Sequence, residues 1–395
     1  MKNPTRTIIA LALALLITGC TSLPVTSPPP PPASPTLPQA QQPPPPAATP
    51  LPTASPSLPS LPPTPSLPSI WPTAGWQTST PEQQGMDSQR LAAMFESIEE
   101  QDLNLDGVLI VRHGYIVTET YFPPFQQDTK HELYSCTKSF ASALVGMAID
   151  KGYVDGVSHP VLDFFSERTF ANSDERKTAM TLENLLTMTS GLDWEEGDPI
   201  YAQMMRSPDW VQFVLDTPMA VEPGSQFNYC SGCSHVLSAI VQATTGTSTL
   251  DFAQAYLFEP LGISGVTWYA DPDGIANGGW GLRLTPRDMA KLGYLYLHHG
   301  VWDGQQIVSA EWVSASVEAH VQTEDELDYG YQWWVYPPLN AYTARGRGGQ
   351  LIFVMPDLDV VVVFTAEVED DHVLLELIED FVVPAARGDS SLRSE

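Results

Sequence analysis

The stretch YSCTKSF at 134–140 places a lysine three positions after a serine, in a chain that has six lysines. A serine hydroxyl is a weak nucleophile at neutral pH and needs a base close by. Residues i and i+3 share one face of a helix, so a helix starting here would bring Ser135 and Lys138 together. Burial would lower the affinity of Lys138 for its proton. The pair indicates nucleophilic catalysis, although this spacing also arises by chance.

A second polar cluster lies in FNYCSGCS at 227–234. Tyr229 comes just before a predicted helix start, where the field of the helix would favour a phenolate. It is far from Ser135 in the sequence, so only folding can bring the two hydroxyl groups together. A tyrosine packed in the core is the structural alternative.

A third motif is ARGRGGQ at 344–350, a glycine-rich strand that carries the cation Arg347. Gly348 and Gly349 would let a substrate lie against the strand edge. The backbone N–H of Gln350, with that of Ser135, could form an oxyanion hole for a tetrahedral intermediate. A structural salt bridge is the alternative role for Arg347.

The order S-x-x-K, then Y-x-S, then a cation with Gly-Gly resembles the serine β-lactamase and penicillin-binding-protein superfamily. The chain looks like its class C and esterase branch and is most similar to 6-aminohexanoate-dimer hydrolase-like proteins. LLTMTSGLDW, FEPLGI and LTPRDMAKLGYLYL support the resemblance, which spans about 76–384.

The resemblance implies that Ser135 attacks a carbonyl, that Lys138 and Tyr229 relay the proton, and that water releases an acyl-enzyme. Either Lys138 or Tyr229 can be the principal base, and no cofactor or metal is implied. Ser231 stands where asparagine is frequent, and Arg347 stands where lysine or histidine is common. These departures weaken the inferred substrate amide contact and the recognition of a β-lactam carboxylate. Trp280 in NGGWGLRL is a candidate for lining the cleft.

The elements that must position these residues follow from hydrophobic periodicity. A hairpin is predicted at 107–122, and strands are predicted at 329–337, 342–349, 351–357 and 359–367. Helices are predicted at 135–152, in the second half of 222–246, at 284–300 and at 370–383. Strands at both chain ends and helices between them predict an α+β fold, with an antiparallel sheet flanked by helices and an inserted helical lobe. The resemblance implies the β-lactamase/transpeptidase-like version of this fold.

The first residues predict export. Lys2 and Arg6 precede a short apolar run that ends in LITGC, which is typical of a lipoprotein signal over 1–19, cut before a lipidated Cys20. An ordinary signal peptide or a short membrane helix is the alternative. Residues 20–75 are rich in proline and uncharged, which predicts an extended, disordered tether. The catalytic domain is predicted over 76–387, with the folded part starting as early as about Ile70, and a disordered tail is predicted over 388–395.

The formal charge of −29 argues against nucleic acid and against electrostatic binding to anionic lipid. Membrane association is therefore expected through the lipid anchor only, and the oligomeric state is left open. Three cysteines remain beside Cys20. If Ser135 and Tyr229 meet, their neighbours Cys136 and Cys230 are close, which favours a disulfide from Cys136 to Cys230 or Cys233 over a Cys230–Cys233 bond.

The sequence thus predicts an exported, lipid-anchored serine hydrolase that acts on small esters or amides. The alternatives are an inactive penicillin-binding-like module that binds cell-wall peptide, and a D-Ala-D-Ala carboxypeptidase or β-lactamase. Retention of Ser135, Lys138 and Tyr229 together favours an enzyme. Gly348 replaces a hydroxyl-bearing residue of β-lactamases, so activated esters are expected to be better substrates than β-lactams.

Overall fold

The structure is a computed structural model that describes residues 70–197, 199–323 and 327–388. The predicted signal peptide, Cys20 and the tether up to residue 69 lie outside the described residues, as does the tail from residue 389. Within the described ranges, no helix has both the length and the apolar composition needed to cross a membrane.

The strands are β1 Gln77–Thr78, β2 Leu105–Arg112, β3 Tyr115–Tyr121, β4 His131–Glu132, β5 Thr267–Trp268, β6 Leu282–Leu284, β7 Val301–Trp302, β8 Gln305–Gln306, β9 Asp328–Tyr329, β10 Trp334–Tyr336, β11 Ala341–Gly346, β12 Gln350–Met355 and β13 Val360–Ala366. The helices are α1 Ser88–Glu100, α2 Thr137–Asp150, α3 Glu175–Ala179, α4 Leu182–Leu186, α5 Ile200–Arg206, α6 Trp210–Asp216, α7 Ser231–Thr245, α8 Thr249–Ala253, α9 Pro286–Leu297, α10 Ala310–Val317, α11 His372–Leu377 and α12 Val383–Arg387.

The main sheet combines strands from both ends of the chain. Its eight strands run in the order β1-β3-β2-β13-β12-β11-β10-β9. All neighbours are antiparallel except β1 and β3. The predicted hairpin is formed by β2 and β3, and β13 pairs with β2 in the middle of the sheet. The predicted α+β architecture is therefore confirmed.

Both faces of the central strand β13 are covered. Val361 and Val363 face a core that includes residues of α2, α7 and α9, whereas Val360, Val362 and Phe364 face a second core with α1 and the C-terminal helices. A strand buried on both faces reads as a continuous apolar run, which explains the sequence VVVVF. Helices α2 to α8 lie between β3 and the later strands in the chain and form the inserted lobe.

The helices that carry the candidate residues have defined ends. Thr285 caps α9 by accepting a hydrogen bond from Asp288 N, and Pro286 occupies the first turn, where it loses no hydrogen bond. Helix α7 ends at Gly246, whose φ of 69° is the left-handed conformation that glycine adopts without steric cost.

One predicted strand is interrupted. The segment predicted as a strand at 329–337 forms the short strands β9 and β10, separated by a turn. Gln332 has a φ of 62°, and a Cβ on Gly330 would lie 2.2 Å from Ser316 O. The chain is pressed against α10 here, and that contact overrides the strand propensity of YGYQWWVY.

Residues 70–75 pack on the domain, although they fall within the predicted tether. The ring of Trp71 lies 5.7 Å from that of Tyr294 and 5.6 Å from that of Trp302. Trp302 Nε1 donates a hydrogen bond of 2.8 Å to Thr73 Oγ1. Ordered contacts thus begin several residues before position 76, because two aromatic side chains anchor this segment.

The predicted pairing of Cys136 with Cys230 or Cys233 is wrong, because Cys230 and Cys233 form the disulfide and Cys136 is free. The Cys136 thiol is buried and donates a hydrogen bond of 3.2 Å to Gln350 O, on the side of β12. The other two cysteines lie at the first turn of α7, with a Cα–Cα distance of 5.2 Å. The direction of the side chains, rather than the nearness of the backbones, decides the pairing.

Candidate active site

Ser135 lies in a tight turn that leads into a helix. Tyr134–Cys136 form a 3-10 turn, and α2 continues from Thr137. Tyr134 has a φ of 44°, a conformation that costs free energy for a non-glycine residue and often occurs at functional sites. The backbone N–H of Ser135 donates to no acceptor within the described residues, so it is available to an anion at the helix start.

Lys138 is buried, with 1% of its surface exposed, and its ammonium group meets three oxygen atoms. Lys138 Nζ lies 3.0 Å from Ser135 Oγ, 2.8 Å from Ser231 Oγ and 2.9 Å from Gly279 O. These are hydrogen-bond distances. Folding therefore brings together the serine and lysine that the sequence singles out, and it adds two acceptors that hold the amine in place.

Burial lowers the pKa of Lys138 from 10.5 to about 8, and the nearby carboxylate of Glu196 opposes this shift. Desolvation disfavours the charged form of an amine. A lysine with this pKa has a neutral fraction that grows steeply from pH 7 to pH 9, and in the neutral form it can accept a proton from Ser135.

Tyr229 lies close to both Lys138 and Ser135. Lys138 Nζ is 4.8 Å from the centroid of its ring, and the ring stacks on Trp334 at a centroid distance of 5.9 Å. Burial raises the pKa of Tyr229 well above 10, and a hydrogen bond with Ser135 only partly opposes this. Burial thus outweighs the helix field that would favour a phenolate, and Tyr229 is a neutral phenol that can donate a proton.

Two glycines, Gly278 and Gly279, position the Gly279 carbonyl that accepts a hydrogen bond from Lys138. A Cβ on Gly278 would lie 2.0 Å from Ser234 O, and one on Gly279 would lie 2.8 Å from Ser231 O. Asn277 Oδ1 accepts a hydrogen bond of 2.8 Å from Gly279 N. Only glycine lets this loop approach the backbone of α7 closely enough for the carbonyl to reach Lys138.

The edge of β11 lies against the nucleophile turn. A Cβ on Gly346 would lie 2.3 Å from Leu133 O and 3.2 Å from Ser135 N, so a side chain here would displace the turn. Gln350 pairs with Gly346 across the hairpin. The next backbone N–H group after Gly346, that of Arg347, donates to no acceptor among the described residues.

Two arginines of the third motif have different surroundings. Arg345 forms a bidentate ion pair with Asp371, with distances of 3.1 Å from Nε and 2.5 Å from Nη2, and its guanidinium lies 5.7 Å from the centroid of the Trp334 ring. Arg347 is exposed and has no ion pair in the described part of the chain. Arg345 therefore carries the structural salt bridge that was the alternative role for Arg347.

Arg347 and Gly348 line a polar cavity of about 390 Å³, together with Tyr134, Gln350 and Arg283. Gly349 lies elsewhere: a Cβ at this position would meet Leu374 at 2.9 Å, so this glycine serves the packing of the C-terminal helix. The cavity shares a wall with the nucleophile turn, because Tyr134 directly precedes Ser135.

An aromatic groove of about 460 Å³ lies beside this cavity, and Trp280, Tyr269 and Met205 line it. The ring of Trp280 lies 5.2 Å from that of Tyr201, whose hydroxyl is 3.1 Å from Ser231 Oγ. Tyr201 therefore links the groove to Ser231, which in turn contacts Lys138. Trp280, proposed from the sequence as a cleft residue, lies on its wall.

Sequence reasoning missed Glu196, Gly279, Arg345 and Gly346. The glycine pair in NGGWG and the glycine after Arg345 are local signals for close backbone approach. Glu196 gives no such signal, because an acidic residue in a loop between predicted helices usually lies in solvent.

A profile of the Beta-lactamase family matches residues 82–381. The 6-aminohexanoate-dimer hydrolase of Paenarthrobacter ureafaciens is 25% identical over 316 residues, which cover 72% of this chain and 79% of that enzyme. The solved structure of EstCE1, a hydrolase with promiscuous acyltransferase activity, matches with a TM-score of 0.64 at 17% identity, over 76% of this chain and 99% of that one. Simvastatin synthase (LovD) from Aspergillus terreus matches with a TM-score of 0.61 at 16% identity, also over 76% and 99%.

The chain therefore belongs to the β-lactamase family, and it is a serine hydrolase of that family. The β-lactamase/transpeptidase-like fold expected from the sequence is confirmed. The names of these relatives cover hydrolase and acyltransferase activities on different compounds, so membership of the family leaves the substrate of this chain open.

Proposed function

We propose that this protein is an exported, lipid-anchored hydrolase that cleaves small esters or amides through an acyl-enzyme on Ser135. The observation that carries the proposal is the 3.0 Å distance between Lys138 Nζ and Ser135 Oγ in a site that lowers the pKa of the lysine to about 8. A catalytically inactive binding module would have no need of a buried lysine with a lowered pKa at hydrogen-bond distance from a serine.

In the first step, neutral Lys138 accepts the hydroxyl proton as Ser135 Oγ attacks the substrate carbonyl. The backbone N–H groups of Ser135 and Arg347 are suited to bind the oxyanion, because neither donates to an acceptor among the described residues and Gly346, which precedes Arg347, lies against the turn that holds Ser135. This geometry favours Arg347 N–H over Gln350 N–H as the second donor. Tyr229, a neutral phenol, donates a proton to the leaving alcohol or amine.

In the second step, water attacks the acyl-enzyme and gives a proton to the Tyr229 phenolate that the first step leaves, while the Lys138 ammonium returns its proton to Ser135 Oγ. Ser135 thus leaves as a neutral hydroxyl group, and both Lys138 and Tyr229 regain their starting states. Ser231 and the Gly279 carbonyl keep the Lys138 amine in place through both steps. The aromatic groove at Trp280 and Tyr269 supports substrates with an apolar group on one side of the scissile bond.

We expect short-chain p-nitrophenyl esters to be hydrolysed readily, amides more slowly, and β-lactams weakly. Activated esters need only the nucleophile, the base and the oxyanion hole, whereas amides also need protonation of the amine. A β-lactam carboxylate would need the hydroxyl that Gly348 lacks, and the exposed Arg347 guanidinium approaches it differently from a lysine. The measurement is kcat/KM for p-nitrophenyl acetate against nitrocefin. A value for nitrocefin about tenfold higher or more would favour the β-lactamase alternative.

We also expect growth with labelled palmitate to tag the protein, and Cys20→Ser to abolish the label and release the protein from membranes. The motif LITGC is the sequence support for this anchor. Cys136→Ser serves as the matched control, because its buried thiol is not offered to a lipidating enzyme. An unlabelled wild-type protein in the soluble fraction would refute the lipid anchor without touching the hydrolase assignment.

A further inference from the structure

Glu196 lies beside the catalytic residues and has no role in the steps above. Its carboxylate accepts a hydrogen bond of 3.0 Å from Ser231 N and one of 2.7 Å from Trp194 Nε1, both at Oε2. The hydroxyl groups of Ser231 and Tyr201 both donate to its Oε1. Glu196 is exposed, yet four protein donors converge on it, whereas surface glutamates are usually left to water.

The direction of the hydrogen bonds through Ser231 follows from the carboxylate. An ionised carboxylate only accepts hydrogen bonds. The hydroxyl hydrogen of Ser231 is therefore committed to Glu196, and the lone pairs of Ser231 Oγ face Lys138 Nζ at 2.8 Å. Tyr201 reinforces this, because its hydroxyl also points to Glu196. Glu196 thus makes Ser231 an acceptor toward Lys138.

This direction decides where the lone pair of the base points. Neutral Lys138 has two N–H bonds and one lone pair. Two fixed acceptors, Ser231 Oγ and Gly279 O, use both N–H bonds, so the lone pair is left for the hydroxyl of Ser135 at 3.0 Å. If Ser231 donated instead, its hydrogen would compete with Ser135 for the same lone pair.

We infer that Glu196 is a positioning residue for the general base: it fixes the Ser231 hydroxyl as an acceptor, so that neutral Lys138 directs its lone pair at Ser135. The inference rests on the proposed function, since it concerns how the nucleophile is activated. It also explains how Ser231 can occupy a position where asparagine is frequent in the family, because the Glu196–Ser231 pair supplies a fixed acceptor to Lys138.

The charge of Glu196 adds a second, measurable effect. The groups around Lys138 are Ser135 and the Cys136 thiol on its own turn, Tyr229 and Ser231 before and on α7, and the Gly279 carbonyl. Arg345 on β11 forms its ion pair with Asp371. Among the described residues, Glu196 is the carboxylate that acts on Lys138, and it opposes the effect of burial on the lysine pKa. Loss of this charge would lower that pKa further.

A purely structural role for Glu196 is the competing explanation. Ser231 is the first residue of α7, and its N–H is one of the groups that a helix start leaves unpaired. Glu196→Gln separates the two roles. The glutamine oxygen can still accept from Ser231 N, whereas its amide nitrogen would donate to Ser231 Oγ and turn the hydroxyl hydrogen away from its present acceptor.

The experiment measures the rate of covalent labelling of Ser135 by a fluorophosphonate, and kcat/KM for p-nitrophenyl acetate, between pH 5 and 10. The variants are Glu196→Gln and the matched control Glu195→Gln, a neighbouring exposed carboxylate without a partner in the described part of the chain. For Glu196→Gln we expect the plateau rate to fall about tenfold or more. We also expect the midpoint of the acid limb to move to lower pH by up to about one unit.

Ser231→Ala gives a second reading, because it removes the hydroxyl that transmits the effect. In that background Glu196→Gln should lower the plateau by a much smaller factor, since the two residues act on one interaction. Additive losses would overturn the inference, as would a Glu196→Gln profile equal to that of Glu195→Gln. A lower melting temperature with an unmoved acid limb would assign Glu196 to helix capping instead. A wild-type protein that the probe does not label would refute the proposed function itself.

Discussion

Ser135→Ala is expected to lose covalent labelling by a fluorophosphonate and to lower kcat/KM for p-nitrophenyl acetate by at least about a thousandfold. The reason is that nucleophile, base and acid act as a unit, so that Lys138 and Tyr229 have no function without the Ser135 hydroxyl. What remains would come from binding and the oxyanion donors alone. Intact mass spectrometry after labelling gives the first result directly.

The variant should stay folded, because Ser135 is only partly buried and its Oγ serves Lys138 and Tyr229 rather than the core. Its melting temperature is therefore expected to match that of the wild type closely. Ser173→Ala, at an exposed position on the inserted lobe, is the matched control and should label as the wild type does. Labelling that persists in Ser135→Ala would move the nucleophile to another residue.

Lys138→Met should be as inactive as Ser135→Ala while keeping the fold. Methionine fills much of the space of the lysine stem but cannot accept a proton, so Ser135 would keep its hydroxyl hydrogen. Burying an ammonium is costly, and the difference between a pKa of 10.5 and one of about 8 corresponds to about 3 kcal/mol. Removing that charge offsets the loss of three hydrogen bonds, and the melting temperature should change little.

The pH dependence of the wild type follows from the same shift. Lys138 is active in its neutral form, which grows from about one tenth of the molecules at pH 7 to about nine tenths at pH 9 for a pKa of about 8. Activity should therefore rise with pH, with a midpoint near 8. A pH profile that is flat, or one whose midpoint is close to pH 6, would mean that a group other than Lys138 controls the activity.

The lowered pKa of Lys138 also makes the stability of the fold depend on pH, and stability, like activity, should rise with pH. The folded-state pKa of Lys138 lies below its unfolded value of 10.5, so between about pH 8 and 10.5 the unfolded chain binds more protons. The free energy of unfolding of the wild type should rise with pH across this window relative to Lys138→Met. Urea denaturation at pH 7.5 and 9.5 measures that difference between the two proteins.

Local sequence patterns predicted the Ser135–Lys138 pair and the main strands that support it. Ser135 and Lys138 share a helix turn, so their meeting depended on one element only. The hairpin at 107–122 and the apolar runs of β12 and β13 were readable from the period of their side chains. Tyr229 meets Ser135 only because the fold packs α7 against α2. The order of the three motifs predicted this contact, whereas the spacing of the residues alone would not.

What the sequence did not predict depends on the direction of side chains in three dimensions. Cys136 points to β12, so its nearness to α7 leads to no disulfide. The charge state of Tyr229 depends on how deeply it is packed, and burial outweighs the helix field. Glu196 reaches the site because its loop folds onto the first turn of α7, a contact between segments with no shared pattern.

The pairing of β2 with β13 also orders the events of folding. The hairpin β2–β3 is synthesised early, whereas β13 is the last strand of the sheet to be synthesised. In the sheet, however, β13 lies between β2 and β12. Until the ribosome has passed Ala366, both of those strands have an open edge that another chain could occupy. Contacts so distant in sequence close slowly, since a long loop must be ordered first. A chain truncated before β13 would therefore hold the complete Ser135–Lys138 turn and still lack a sheet to support it.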